Sequence, residues 1–515
     1  MLPWNKIKGL YLAIFLLPFG CLSVPAQVLH YSKAFPALPR NLPLALINRH
    51  DGYFYVLRYN RLAHDLTLEK RAKPSAEILN FTALRMDSFN ASWFDYRNLD
   101  MKLSEFNDKL CLVFKKEVNN KKSLYFIRVD SLGKSSAFTE MVSVERENSF
   151  TGFDIDYTMV GPDKVLIVIS RTYFNQSTRK TVLLYDLLSA QKLWFRNLPT
   201  ENYMTGYSNA FICDGSSGVY YVMARPQLMR YNRKYARHAQ VLSPVWMIDT
   251  LKLMYSANSH ELPVEIELFH QVNRIHGIAL HTDSTSVYVQ ALTSVSEEET
   301  GKPGFSIYTF ACSKNLQQFY YRINTGLQSS ICERLRYFDG TDSEQCWDKE
   351  FNLMGAVYND SKARLLFERR EYDEYKELLS WQCDLKSGRV LSQELVPRRL
   401  LYSEAWSRYT NIGEACFSSD QAGFRIALAE AAANLDSDPA SVKFPELKKR
   451  NSLRVCNLVL FTLNPGQAPV KKLLHHNGDF DYLPVRNYSS GTNDLVFYLN
   501  SGRQEKFAIC ELNPH

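Results

Sequence analysis

A short hairpin recurs along this chain of 515 residues, and its spacing limits the available folds more than any other feature. The clearest copy lies between Leu353 and Val396. It reads as strand Leu353–Tyr358, turn Asn359-Asp360-Ser361-Lys362 and strand Ala363–Glu368, followed by a charged insert, Arg369–Lys376. Strand Glu377–Cys383, turn Asp384-Leu385-Lys386-Ser387-Gly388 and strand Arg389–Val396 complete it. Short β-prone runs broken by Asp, Asn and Gly are what hairpins require. Four strands alone cannot bury both faces of their sheet, so the unit needs copies of itself.

Two signatures mark the copies. The first is a strand ending in an apolar and then a polar residue: Tyr59-Asn60, Val129-Asp130, Tyr185-Asp186, Ile248-Asp249, Cys312-Ser313, Cys383-Asp384, Leu463-Asn464 and Cys510-Glu511. Asn60 and Glu511 are seven steps apart, a mean spacing of about 64 residues, long for a compact repeat and leaving room for loops. The second signature is an upstream hairpin with an acidic turn, at Asp108, Asp163, Asp214, Asp283, Asp360, Asp420 and Asp494. Two hairpins per period make a four-stranded antiparallel sheet, and the chain is therefore expected to be an all-β β-propeller of seven or eight blades. The last copy stops near Glu511, so Val28–Tyr31 and Leu44–Ile47 are the expected donors that complete its sheet and close the ring. A pair of β-sandwiches would also use short strands, but it demands no period common to the whole chain. Phe424–Asn434 reads as a strand and then an excursion.

The first 26 residues have the pattern of an export signal: Lys6 and Lys8, the apolar run Leu10–Leu17, then Val24-Pro25-Ala26 before Gln27. Lipidation at Cys21 is the alternative, against which stands a poor lipobox, Pro18-Phe19-Gly20. Residues 27–515 then form one domain. No later apolar run reaches the length of a spanning helix. The formal charge of +7 permits anionic partners without requiring them. Cys312, Cys383 and Cys510 occupy one slot of the repeat that Val129, Ile248 and Leu463 fill elsewhere, so they read as small apolar residues. Cys332 and Cys346, in a single long loop, are the disulfide candidates. With acidic-turn hairpins such as Tyr125-Phe126-Ile127-Arg128-Val129-Asp130-Ser131-Leu132-Gly133-Lys134, the chain resembles secreted bacterial propellers of WD40-like or Kelch-like architecture. Its signal resembles those of Bacteroidota. The resemblance is architectural and carries no catalytic signature.

Three segments share a motif: Phe94-Asp95-Tyr96, Asp156-Tyr157 and Asp481-Tyr482, each ahead of an innermost hairpin. Read sharply, Asp95, Asp156 and Asp481 converge at the channel rim on a cation or basic group, and Ca²⁺ is the metal they would suit. Read plainly, the aromatics pack between blades and the carboxylates cap loops. The loop Arg225–His238 interleaves Arg230, Arg233, Lys234 and Arg237 with Tyr231 and Tyr235, a pattern suited to an anionic polymer or to solvent. No nucleic-acid-reading motif is present. The histidine groups His270/His276/His281 and His475-His476 lack zinc spacing. No motif calls for a cofactor or a nucleophile elbow.

The expectation is an exported propeller, in the periplasm, on the cell surface or outside the cell. It would act as a binding scaffold for a protein or anionic glycan, as a monomer or within an envelope complex. The alternative is a propeller enzyme, a hydrolase or lyase, working on glycans or peptides with carboxylates at the channel mouth.

Overall fold

The computed structural model describes residues 28–512 except 38–40, 61–64, 85–100, 107–108, 119, 131, 148–149, 174–177, 198–210, 215–217, 229–245, 258–262, 296–303, 338–349, 360, 372–373, 397–399, 402–415, 421–422, 432–455, 465–466, 477, 479, 484 and 490–492. Within these the strands form eight four-stranded antiparallel meanders. Blade 1 is Asn41–Asn48, Tyr53–Asn60, Asp65–Ala72 and Ile78–Leu84. Blade 2 is Met101–Phe106, Lys109–Val118, Lys121–Val129 and Thr139–Glu145, and blade 3 is Phe150–Met159, Lys164–Tyr173, Thr178–Asp186 and Gln191–Asn197. Phe211–Cys213, Val219–Leu228 and Trp246–Ser256 begin blade 4. The long strand Val264–Thr282 ends blade 4 and opens blade 5, which continues with Ser286–Val295, Gly304–Ser313 and Phe319–Gly326. Blade 6 is Glu350–Tyr358, Lys362–Glu371, Glu374–Asp384 and Val390–Val396. Blade 7 is Cys416–Asp420, Gly423–Ala431, Cys456–Leu463 and Val470–His475.

Blade 8 takes three strands from the C-terminal end of the chain, Asp481–Leu483, Asp494–Asn500 and Gln504–Glu511. Its fourth strand is Leu29–Tyr31. Leu29 lies opposite Cys510 and Tyr31 opposite Ala508, so the two ends of the chain share one sheet. Val28–Tyr31 is thus the closing strand, as expected. Leu44–Ile47 is not: it belongs to the first strand of blade 1. Along that strand a short segment, Arg486–Ser489, adds in parallel on the side away from the rest of the blade.

The core explains the residue pattern. Each blade is covered on both faces by neighbours, so its middle strands carry apolar residues at successive positions rather than alternate ones. Val165, Ile167 and Ile169 point into the cluster shared with blade 2, while Leu166 and Val168 point into the one shared with blade 4. Eight such clusters exist, one for each pair of neighbouring blades, and the eighth joins Leu46, Phe54 and Val56 to Val496, Phe507 and Ile509 across the first and last blades. An open row of eight sheets would have only seven. The chain is a closed, eight-bladed β-propeller.

Local expectations are met unevenly. Asp163, Asp214 and Asp283 lie between the first and second strands of their blades, Asp420 ends a first strand, Asp494 opens a second, and Asp51-Gly52 supplies the matching turn in blade 1; Asp108 and Asp360 lie outside the described residues. Val129, Cys312, Cys383, Leu463 and Cys510 all end third strands and are buried. Tyr59-Asn60 instead ends a second strand, and Ile248-Asp249 lies near the start of a third. The charged run Arg369–Lys376 is no insert: strands run through it to Glu371 and resume at Glu374. Arg369 and Glu377 there form an ion pair at 3.4 Å with their side chains 0 % and 1 % exposed. The long loop after blade 5 holds a helix, Ser329–Tyr337, that packs Ile331 and Leu335 into the cluster between blades 5 and 6. Among the described residues no helix is long and apolar enough to cross a membrane.

Candidate functional site

Strand order divides the ring into two unlike faces. In an antiparallel meander, alternate connections leave at opposite ends. At one end lie the first-to-second and third-to-fourth connections, none longer than the ten residues 484–493, and several of them turn on Asp or Gly, as at Asp163, Asp283 and Asp384-Gly388. At the other end lie the second-to-third and blade-to-blade connections, and the six longest of the chain all bridge strand ends there: 85–100, 198–210, 229–245, 327–349, 397–415 and 432–455.

The residues singled out in the sequence fall as follows. Asp156 and Tyr157 lie inside the first strand of blade 3, not in a loop ahead of it. Tyr157 is buried and its hydroxyl donates to the Val113 carbonyl of blade 2 at 3.4 Å. Tyr482 is buried edge-on to Phe497, with ring centres 6.0 Å apart. Both tyrosines therefore pack, which is the plain reading of the motif. Asp156 is exposed, and its charge opposes the burial that lowers Lys180 to about 8. Asp481 opens the first strand of blade 8 opposite Asn500, five blades along the chain from Asp156. Phe94, Asp95 and Tyr96 lie outside the described residues, as do Arg230, Arg233, Lys234 and Arg237. Cys332 sits half-buried on the helix with its thiol 4.0 Å from the Leu327 carbonyl, and Cys346 lies outside the described residues.

His276 is a satisfied core residue. Its Nε2 lies 2.9 Å from Ser294 Oγ, and Nδ1 accepts from the Phe351 amide at 3.3 Å. His281 stacks on Tyr358 at 4.2 Å, and burial lowers its pKa. Burial also pushes the Cys312 and Cys383 thiols up to about 12, which leaves them chemically quiet.

Two polar constellations were not evident from the sequence. The first lies at the end of blade 2 that faces the long connections. Its hairpin from Val118 to Lys121 turns through Asn120 in the left-handed region (φ 65°), and the Asn120 carbonyl accepts the Arg146 amide at 2.8 Å. This brings five cations together. On the blade 3 side Lys115 and Lys122 clamp Asp154 at 2.6 and 3.0 Å, and although burial opposes it, they hold that carboxyl below its usual range. On the other side Lys116, Lys121 and Arg146 line a cleft of about 580 Å³ with Asn120, Tyr125 and Glu145. The adjacent lysine pairs Lys115-Lys116 and Lys121-Lys122 on facing strands were the available signal, since neighbours in a strand point to opposite faces.

The second constellation is at the opposite face, where blades 1, 2 and 8 meet. His50 Nε2 lies 2.6 Å from Glu105 Oε1, and its ring stacks on Tyr53. Lys73 reaches Asp494 at 2.9 Å, and Asn48 donates to the Asp494 side chain at 3.0 Å. All lie beside the acidic turns of the first and last blades.

No protein-family model matches the chain, and no curated protein sequence resembles it. Solved propellers are similar to it only in outline. The β-propeller domain of the Trilobed protease from Pyrococcus furiosus is 10 % identical, with a TM-score of 0.36 over 85 % of this chain and 99 % of that one. The WD40 domain of SCAP from fission yeast is 6 % identical, with a TM-score of 0.38 over 94 % and 98 %. An apocarotenoid oxygenase from Synechocystis is 10 % identical, with a TM-score of 0.36 over 90 % and 95 %. Likenesses this remote carry no argument about function, and the fold assignment rests on strand order and on the eight clusters.

Proposed function

We propose that this chain is an exported propeller that serves as a binding scaffold, recognising a protein or an anionic glycan through the face that carries its long connections. The carrying observation is the asymmetry of the ring: the six longest connections between described strands emerge at one face, and those at the opposite face are shorter, several of them tight turns. Variable recognition surfaces are built this way, on loops held by a rigid frame. Export rests on the signal pattern of the first 26 residues. The segment Arg486–Ser489, added along the first strand of blade 1, also favours recognition on a face over chemistry inside the channel.

The test compares partner capture by the full chain with capture by charge-altered variants of each face. Lys115→Glu with Lys122→Glu should abolish capture, and Asp283→Ser on the tight-turn face should leave it intact. Equal loss from both faces, or none from either, would end this reading. A second reading, a hydrolase or lyase, draws on the Glu105–His50 pair, in which a carboxylate orients an imidazole as general bases require. Turnover of a glycan or peptide that disappears in His50→Ala while capture persists would support it.

A further inference from the structure

We propose that the cleft at the loop-bearing end of blade 2 binds the uronate unit of an acidic saccharide. This rests on reading that face as the recognition face, and it names the ligand class.

The cleft has the size of a small-ligand site, which typically spans roughly 300–1,000 Å³. Its walls are strands rather than loops. Lys116 lies near the end of the second strand of blade 2 opposite Ser123, Lys121 opens the third strand opposite Glu145, and Arg146 follows the fourth. The Arg146 amide bonded to the Asn120 carbonyl ties together the strand ends that carry the three cations. Lys121 Nζ stands 3.8 Å from Glu140 and 3.9 Å from Glu145, beyond hydrogen-bond length, so neither carboxylate saturates its donors. Burial, set against Glu140, lowers Lys116, and the nearby Lys121 charge lowers it further. An entering anion relieves both effects.

The carboxylates choose among anions. Glu145 lines the cleft and Glu140 stands behind it, its Oε2 taking the Tyr125 hydroxyl at 2.6 Å. A dense polyanion such as a sulfated or polyphosphate chain would meet these two charges at close range. A ligand with one carboxylate and several hydroxyls would not: its carboxylate sits among Lys116, Lys121 and Arg146, and its hydroxyls donate to Glu145. Tyr125, bonded to Glu140, lines the cleft with a ring against which the apolar side of a pyranose packs. Uronates combine these features.

Calorimetry on the full-length protein decides the matter with three probes: trigalacturonate, its neutral methyl ester and inorganic triphosphate. Trigalacturonate should bind, the ester at least tenfold more weakly, and triphosphate no tighter than the uronate. Lys121→Glu combined with Arg146→Glu should cost at least tenfold in uronate affinity, while Lys252→Glu on blade 4 changes nothing. Equal binding of the ester, tighter binding of triphosphate, full affinity in the double variant, or no uronate binding at all would each overturn the proposal. Partner capture by the long-connection face is read separately, so failure here leaves that reading standing or falling on its own experiment.

Discussion

Four charged side chains meet where the first blade touches the last. Arg58 contacts Glu69 at 3.0 Å and Glu505 at 2.7 Å, and Arg71 contacts the same two carboxylates at 2.7 and 3.5 Å. All four are nearly inaccessible, Tyr498 donates to Glu505 at 3.0 Å, and Arg71 lies over the Phe35 and Phe507 rings. Two buried cations balanced by two buried carboxylates tolerate no single removal, because the remaining charge is stranded in low dielectric. Glu505→Gln should therefore cost about 3–5 kcal/mol in urea unfolding. Lys252→Ala, at the exposed Lys252–Glu265 pair, should cost about 1 kcal/mol or less. None of this is legible in the sequence. Arg58 and Arg71 read as solvent-side residues of a strand, and their partner Glu505 is more than 400 positions away. Cys312, Cys383 and Cys510 are legible, because Val129 and Leu463 hold the same slot and show what it requires.

At the scale of turns and strands, local chemistry governs and the sequence is most transparent. Although burial pushes it up, Asp283 is held below the usual carboxylate range by the Thr285 and Ser286 amides and the Tyr288 hydroxyl. Asp384 is held below it by Ser387, through both hydroxyl and amide. A carboxyl whose folded pKa lies below its unfolded value stabilises the fold at pH above about 4, and loses that contribution as pH falls through the folded value. Asp283→Asn with Asp384→Asn should thus lower stability at pH 7 and flatten its decline below about pH 4, seen as a shallower acid limb in melting temperature against pH. In the Asp384 turn, Gly388 takes φ +71° and an added Cβ would run into the Tyr321 ring. Gly502 takes φ +85° with open space around it. Gly502→Ala should cost about 1 kcal/mol from backbone strain alone, and Gly388→Ala clearly more, by thermal melts of the two variants. Where the sequence misleads at this scale, competing turns are the reason. Tyr59-Asn60 has the expected apolar-polar pair but ends a second strand rather than a third, and it hides Asp51-Gly52, the true counterpart of the acidic turns. Arg369–Lys376 reads as a loop on charge alone, because a buried ion pair looks the same in sequence as a solvated one.

The whole molecule is a ring because eight faces need eight partners. The count of blades follows from the repeat only once the end strands are assigned, which is why seven and eight remain open in the sequence and eight is evident in the packing. Closure also explains where the unusual residues cluster: Asn48, Arg58, Arg71, Lys73, Asp494 and Glu505 all serve the junction of blades 1 and 8. The candidate sites were less accessible to sequence reasoning, since a cleft joins residues from three strands whose register no single motif records. Hydrogen exchange across the closing strand tests the central claim most directly. The Glu511 amide donates to the Val28 carbonyl at 3.0 Å, and the Phe507 amide donates to Ser32 Oγ at 3.0 Å. Deleting residues 1–37 should raise exchange in the peptide Gln504–Glu511 at least a hundredfold, with Lys164–Tyr173 in blade 3 as the slowly exchanging reference. Unchanged protection of Gln504–Glu511 in the truncated protein would contradict a ring closed by its two ends.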